Sequence, residues 1–279
     1  MRFLTGANVK RLLTLVLGAA LLVPAAVRAQ PPADDPAALK LAEPDFTLIA
    51  LPTSLRLPKY RSAFRVTHRF LRPLGSGDFG DLVSDFFGLD NGAQTSLELR
   101  FGIVPNGQVG IHRTGGNKTI EFFGQYAAVR QSAGRPVDVS ALVTIEGTNN
   151  FKDSYSPAIG AIVSRTVGDV AAFYVEPIWV NNTNALPTQL ADDNNTFLVG
   201  IGARVRVSPT VYLVGEAAPR TGYKPGVTHG SFALEKRVGG HVFQLNFSNG
   251  FGTTMAQIAR GGPVENDWYL GFNISRKFY

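Results

Sequence analysis

The sequence predicts an all-β chain, a closed antiparallel transmembrane β-barrel of about twelve strands. Three observations predict it. Segments that alternate apolar and polar residues recur from residue 63 to the end. The connections between them alternate long and short. The last stretch, Asp267 to Tyr279, places Trp268, Leu270, Phe272, Ile274 and Phe278 on one side, broken only by Arg276. Tyr269, Gly271, Asn273, Ser275 and Lys277 fall on the other. Such a strand left bare at a terminus is an open, sticky edge. Pairing it with the first strand closes the sheet and removes the edge. An edge strand of a soluble sandwich is the plainer alternative for this stretch taken alone.

Composition agrees. Of 279 residues, 44% are hydrophobic and 17% charged, with 30 glycines. That is the balance of a barrel whose strands turn one face to a polar lumen. After the leader, no run approaches the roughly 18 apolar residues of a membrane helix. Cysteine is absent, so disulfides, cysteine metal sites and a lipid-modified N-terminal cysteine are excluded.

Residues 1–29 read as a secretory signal peptide. Arg2, Lys10 and Arg11 form the basic start, Leu12 to Ala26 the mostly apolar run, and Val27-Arg28-Ala29 the cleavage site. The leader holds four basic residues and no acid. Without it the 27 basic residues fall to 23 against 21 acidic, about +2, which removes support for nucleic acid as a partner. Residues 30–58 form a lead-in on the periplasmic side. Prolines at 31, 32, 36, 44, 52 and 58 forbid a long regular element there. Its second half, with Phe46 to Leu51 and Leu55 to Pro58, is placed to touch the barrel rim or enter the lumen. Residues 59–279 form the barrel.

Strands are expected near 63–71, 93–102, 107–114, 118–130, 136–147, 157–166, 170–180, 195–207, 210–219, 230–238, 241–249 and 267–279. Many reach the about 9–11 residues that a tilted strand needs to cross a bilayer. The sixth separates its faces least. The candidate outer loops are 72–92, 115–117, 148–156, 181–194, 220–229 and 250–266. Short turns fall at 105–106, 131–135, 167–169, 208–209 and 239–240. This alternation sends long loops outward, keeps both termini in the periplasm, and indicates the outer membrane of a Gram-negative bacterium. The second outer loop, Gly115-Gly116-Asn117, is short and breaks the trend.

Charges keep to one face. Phe64, Val66 and Phe70 oppose Arg65, Thr67 and Arg69; Leu97, Leu99 and Phe101 oppose Ser96, Glu98 and Arg100. A mid-bilayer arginine on the lipid face costs about 2–4 kcal/mol. Trp179, Tyr212, Trp268, Tyr269 and Phe278 lie near strand ends, where they could form interfacial girdles.

Several stretches resemble an uncharacterised family of bacterial outer-membrane β-barrel proteins, a domain of unknown function. They are Leu51-Pro52-Thr53 with Leu57-Pro58-Lys59, Val66-Thr67-His68-Arg69-Phe70, Asp85-Phe86-Phe87-Gly88-Leu89-Asp90-Asn91-Gly92-Ala93 and Gly116-Asn117-Lys118-Thr119. The resemblance covers about residues 50 to 279 and implies fold and location, leaving activity open. A terminal strand ending in an aromatic residue also resembles the signal read by the barrel-insertion machinery, which is an expected partner beside outer-membrane lipid.

The lumen is the first candidate site. Arg65, Arg69, Arg100, Arg204, Arg206, Arg237 and Lys277 point inward by face, as do Glu98, Glu121, Glu146, Glu176, Glu216 and Glu235. Either the cations steer anionic solutes, or the near-balance of seven against six builds internal ion pairs that stiffen a small barrel. The second candidate is the first outer loop. There Phe79, Leu82, Val83, Phe86 and Phe87 fall at helical spacing, on a short helix that folds into the lumen or rests on the membrane. Its acids, Asp78, Asp81, Asp85 and Asp90, lack calcium-loop spacing. The third is His112, two residues from Thr114 and near Asn117, a weak echo of twelve-stranded barrel phospholipases. No enzyme, cofactor or metal is expected. His68, His229 and His241 are read as lumen or rim residues.

The expected function is a narrow passive channel for small solutes, anionic ones among them. The alternative is a non-conducting barrel that docks a partner through its outer loops. A continuous polar path through the lumen favours the channel. A closed lumen with an exposed apolar loop patch favours the scaffold.

Overall fold

The structure, a computed structural model, describes residues 39–184, 194–224 and 226–278. The leader, Tyr279 and the Asp90 side chain lie outside the described residues.

The strands are β1 (Ser62–Phe70), β2 (Ala93–Val104), β3 (Gly107–Thr114), β4 (Ile120–Val129), β5 (Asp138–Gly147), β6 (Asp153–Val167), β7 (Ala171–Val180), β8 (Thr196–Ser208), β9 (Val211–Ala218), β10 (Arg220–Gly222), β11 (His229–Val238), β12 (His241–Ser248) and β13 (Tyr269–Phe278). Each pairs antiparallel with its neighbours. The last strand meets the first, with Val66 opposite Ile274, and the β8–β9 pairing completes the ring. β9 and β10 are one stave interrupted at Pro219, which has no N–H to give the ladder. Its carbonyl still accepts from Val199 N at 2.9 Å, and both pieces pair with β8. The barrel is therefore twelve-stranded and closed.

The ends of the barrel differ. At one end lie the short turns, where Asn106, Gly168 and Gly239 supply the positive φ that tight connections demand. The long connections gather at the other end. Among them are the short helices α1 (Phe79–Ser84) and α2 (Met255–Arg260).

Alternation along each strand sorts the side chains. Leu97, Leu99, Phe101, Phe173, Phe197, Leu213, Leu234 and Leu245 point outward and are exposed. The inward face is buried, and it has two halves. On β1–β4, β12 and β13 it is polar, with Arg65, Arg69, Glu98, Arg100, Gln244 and Asn273. On β5–β9 it carries the large apolar side chains Leu142, Ile162, Tyr174, Ile178, Leu198 and Tyr212, beside the charged Glu146, Glu176, Arg204 and Glu216. That apolar half includes the sixth strand. Its inward residues Ala158 and Ile162 match its outward ones in hydrophobicity, so its faces do not separate in the sequence. Tyr212 and Tyr269 are inward and buried, and so belong to no outward girdle; Trp179, Trp268 and Phe278 do face out.

A candidate functional site in the plugged lumen

Residues 42–57 are buried inside the barrel without exception. Pro44, Pro52 and Pro58 help keep this stretch out of regular structure. Its backbone polar groups must therefore find partners elsewhere. Some are local. Thr47 bridges Pro52, Leu48 N donates to Leu51 O at 2.8 Å, and a tight turn results with Ile49 and Ala50 at its tip. The rest come from the wall. The Glu216 carboxylate accepts from Ile49 N at 2.9 Å, Ala50 N at 2.8 Å and Leu51 N at 3.1 Å. Arg204 donates to Thr47 O at 2.8 Å, and Gln244 to Leu48 O at 2.9 Å. Arg65 and Asn273 both donate to Ile49 O. Nearer the turn end, Gln125 donates to Thr53 O at 2.8 Å and Gln108 to Leu55 O at 3.0 Å.

Apolar packing completes the seat. Leu48, Ile49, Ala50 and Leu51 join one buried cluster with Leu142, Ile162, Tyr174, Ile178 and Leu198. Gly200 and Gly202 make room. A Cβ at Gly202 would overlap the Leu48 side chain, and one at Gly200 would lie 3.0 Å from Leu51. The plug thus packs its apolar side chains on β5–β9, while its backbone bonds to polar side chains from both halves of the wall, Arg204 and Glu216 of β8 and β9 among them.

A second insert descends from the loop end. The connection before β13 turns inward, and Met255 to Ala259 of α2 are buried. Met255 N donates to Glu121 at 2.8 Å, Thr254 Oγ1 to Glu146, and Arg260 bridges Glu146 at 2.9 Å. The first loop was expected to supply a helix that entered the lumen or lay on the membrane. It does form α1, capped by a reciprocal Asp78–Asp81 box, but none of its residues is buried. The helical spacing stops at Ser84 because Phe86 and Phe87 take positive φ. Asp85 bridges Arg72 at 2.8 Å. Among the described residues no cluster of three metal-ligating side chains forms.

Every lumen candidate can now be placed. Arg65, Arg69, Arg100, Arg204, Glu98, Glu121, Glu146, Glu176, Glu216 and Glu235 are buried and inward. Arg206, Arg237 and Lys277 are half-buried at the turn end. Arg206 donates to Pro209 O at 3.3 Å, and the Lys277 ammonium lies 5.2 Å from the Phe46 ring centroid. Several candidates are paired. Arg100 bridges Glu98 and Arg204 bridges Glu235, each at 2.9 Å; His229 meets Glu216 at 3.0 Å. His112 lies 3.9 Å from Glu121, while Thr114 accepts from Gly116 N and Gln94. His68 lies on the outward face, stacked on Phe272 at 4.8 Å, and His241 stacks on Phe243 near the short-turn end. In the plug, burial pushes the Glu43 carboxyl up, against the pull of Lys40 and of a 2.7 Å hydrogen bond from Tyr174. The inward turn of α2 carries no distinctive signal in the sequence beyond a short apolar run, Met255-Ala256-Gln257-Ile258-Ala259.

A closed ring of amphipathic strands, apolar outside and plugged inside, defines a membrane β-barrel. No helix among the described residues is long and apolar enough to cross a membrane. The chain belongs to the family of membrane-bound β-barrel domains DUF5777, which matches residues 45–278. No curated protein matches the sequence. Among solved structures, the NanC porin aligns over 77% of this chain and 100% of its own at 8% identity, with a TM-score of 0.54. The KdgM porin in complex with disordered oligogalacturonate aligns over 78% and 99%, at 7% identity and a TM-score of 0.49. An outer-membrane channel from Pseudomonas putida F1 aligns over 80% and 97%, at 12% identity and a TM-score of 0.49. The NanC likeness shows a shared fold.

Proposed function

We propose that the protein is a narrow passive channel of the Gram-negative outer membrane, held closed by its own N-terminal segment. The short turns then face the periplasm, where the plug enters, and the long loops face outside. One observation carries this reading. Wall residues such as Glu216 and Arg65 hold the plug by hydrogen bonds to its backbone, which other polar groups or water can replace. Small, anionic solutes fit the exposed wall best. Arg65 and Arg69 bond to two backbone carbonyls and one side-chain amide oxygen, and neither bridges a carboxylate among the described residues.

A second reading rests on the first long loop, which carries α1. Phe79 is 74% and Phe86 64% exposed, which with a closed lumen suits a sealed barrel that docks a partner through its loops. Single-channel recording separates the two. The chain starting at Lys59, refolded in a planar bilayer, is expected to conduct with anion preference where the intact chain stays mostly closed. A folded, heat-modifiable barrel lacking both 39–58 and the α2 insert that still passes no current would overturn the channel and favour docking.

A further inference from the structure

Gly271 faces the lumen between two partners in the sheet, Arg69 of β1 and Asn246 of β12. With no side chain between them, those two converge. The position a Cβ would take on Gly271 lies 2.8 Å from Arg69 Cδ and 2.7 Å from Asn246 Oδ1. Arg69 is 1% exposed and Asn246 is 0%. Arg69 spends only Nη1, on His68 O at 3.2 Å and Asn273 Oδ1 at 2.9 Å. Its Nε and Nη2, and both amide atoms of Asn246, are buried with no hydrogen-bond partner among the described residues. A buried guanidinium and a buried amide left in this state are costly unless water or a ligand engages them.

The unspent atoms have a chemistry. Nε and Nη2 form one edge of the planar guanidinium, with two parallel N–H groups that match the two oxygens of a carboxylate. Asn246 presents Oδ1 to this gap, and a half-turn of its amide brings Nδ2 there as a third donor. We infer that Arg69 and Asn246, across Gly271, form a binding site for the carboxylate group of a small organic acid. The site lies on the loop-end side of the plug tip, since Arg69 is four residues beyond Arg65, which holds Ile49 O. Above it the Phe251 and Tyr269 rings meet at a tilt of 52°, their centroids 4.4 Å apart, so the acid reaches it past this ring pair. This deepens the channel reading by naming its solute class, and rests on that reading only for the route of access.

The test uses the full chain in detergent micelles. Its unfolding temperature, read by the heat-dependent shift in gel mobility, is followed in sodium acetate and in sodium chloride of equal ionic strength. Acetate is expected to raise it saturably and chloride to do so less. Arg69→Lys keeps the charge but loses the paired edge, and is expected to weaken acetate's effect about tenfold or more. Asn246→Ala, a gentler change, is expected to weaken it less. Equal action of the two salts on the unaltered protein, or an undiminished acetate preference in Arg69→Lys, would overturn the site. Conductance of the plug-free barrel is scored apart. A conducting barrel indifferent to acetate defeats this site alone, and a silent barrel that acetate stabilises through Arg69 defeats the channel alone.

Discussion

Glu216 on β9 holds the tip of the plug through Ile49, whose N–H it meets at 2.9 Å, with Ala50 and Leu51 donating to the same carboxylate. Three donors on one buried anion make this the densest contact between plug and wall. Glu216→Gln keeps the volume and removes the charge. Hydrogen bonds to a charged group contribute about 1.5–3 kcal/mol each, not additively. The variant is expected to lose about 2–3 kcal/mol of stability. Amide exchange at Ile49, Ala50 and Leu51 should quicken while that of β1 and β13 does not. Unchanged exchange at the tip would mean that the apolar seat alone holds it.

Arg204 and Glu235 are both fully buried and bridge at 2.9 Å, with Arg204 also donating to Thr47 O. Removing one partner strands the other charge, at a cost of about 3–5 kcal/mol. Glu235→Gln should therefore destabilise strongly. The double variant Arg204→Met with Glu235→Leu should recover much of that loss while still loosening Thr47. Denaturant midpoints of the single and double variants check this, and a double variant no better than the single would exclude stranded charge as the cause.

The Gly202 position tests the apolar seat. A Cβ there overlaps Leu48, so Gly202→Ala must push the plug or the rotamer of Leu48 aside. Overpacking of this kind costs about 1–3 kcal/mol. In a chain starting at Lys59 the same substitution should cost little, because Leu48 is gone. A comparable loss in both chains would place the clash in the wall itself.

The barrel was legible in the sequence because lipid and lumen impose opposite demands on alternate residues. Where those demands held, at β1, β2, β8 and β12, the faces separated; the expected strand limits lie within a few residues of those observed. They failed at β6 because Ala158 and Ile162 turn inward to the apolar side of the plugged lumen rather than to water. The same cause hid the inward turn of α2, since a short apolar run can belong to a loop, a core or a membrane surface. The lumen candidates were legible by parity. Their partners were not, because Glu216 spends its charge on backbone N–H groups 165 to 167 residues away. Parity places Asn246 on the polar face of its strand, but its role depends on Arg69 and the bare Gly271 beside it, which only the sheet register brings together.

Glu43 gives the plug a pH dependence. Burial raises its carboxyl above the ordinary 4.5, more than Lys40 and the Tyr174 hydroxyl lower it. The folded state therefore favours the protonated form. Its contribution to stability is fully present below the unfolded value and is lost as pH rises through the folded one. Amide exchange in the plug, corrected for its intrinsic pH dependence, should thus quicken from acid toward neutral pH. Glu43→Gln, neutral throughout, should flatten that trend. A trend unaltered by the substitution would assign it to other groups.

The outward face makes the last prediction. Leu245 lies in the middle of β12 and is 48% exposed, whereas Val238 ends β11 at the turn end with 51% exposed. In water the two positions are equivalent, and an arginine at either would cost almost nothing. In a bilayer they differ, because the penalty for arginine is about 2–4 kcal/mol at the midplane and falls to about 0–1 near the interface. Leu245→Arg should therefore lower the stability of vesicle-refolded protein by that larger amount and Val238→Arg by the smaller, both measured by reversible denaturant unfolding. The contrast depends on depth alone, since the two side chains are similarly exposed and apolar. Equal costs at the two positions would show that the outward face of the barrel does not meet lipid as its strand order implies.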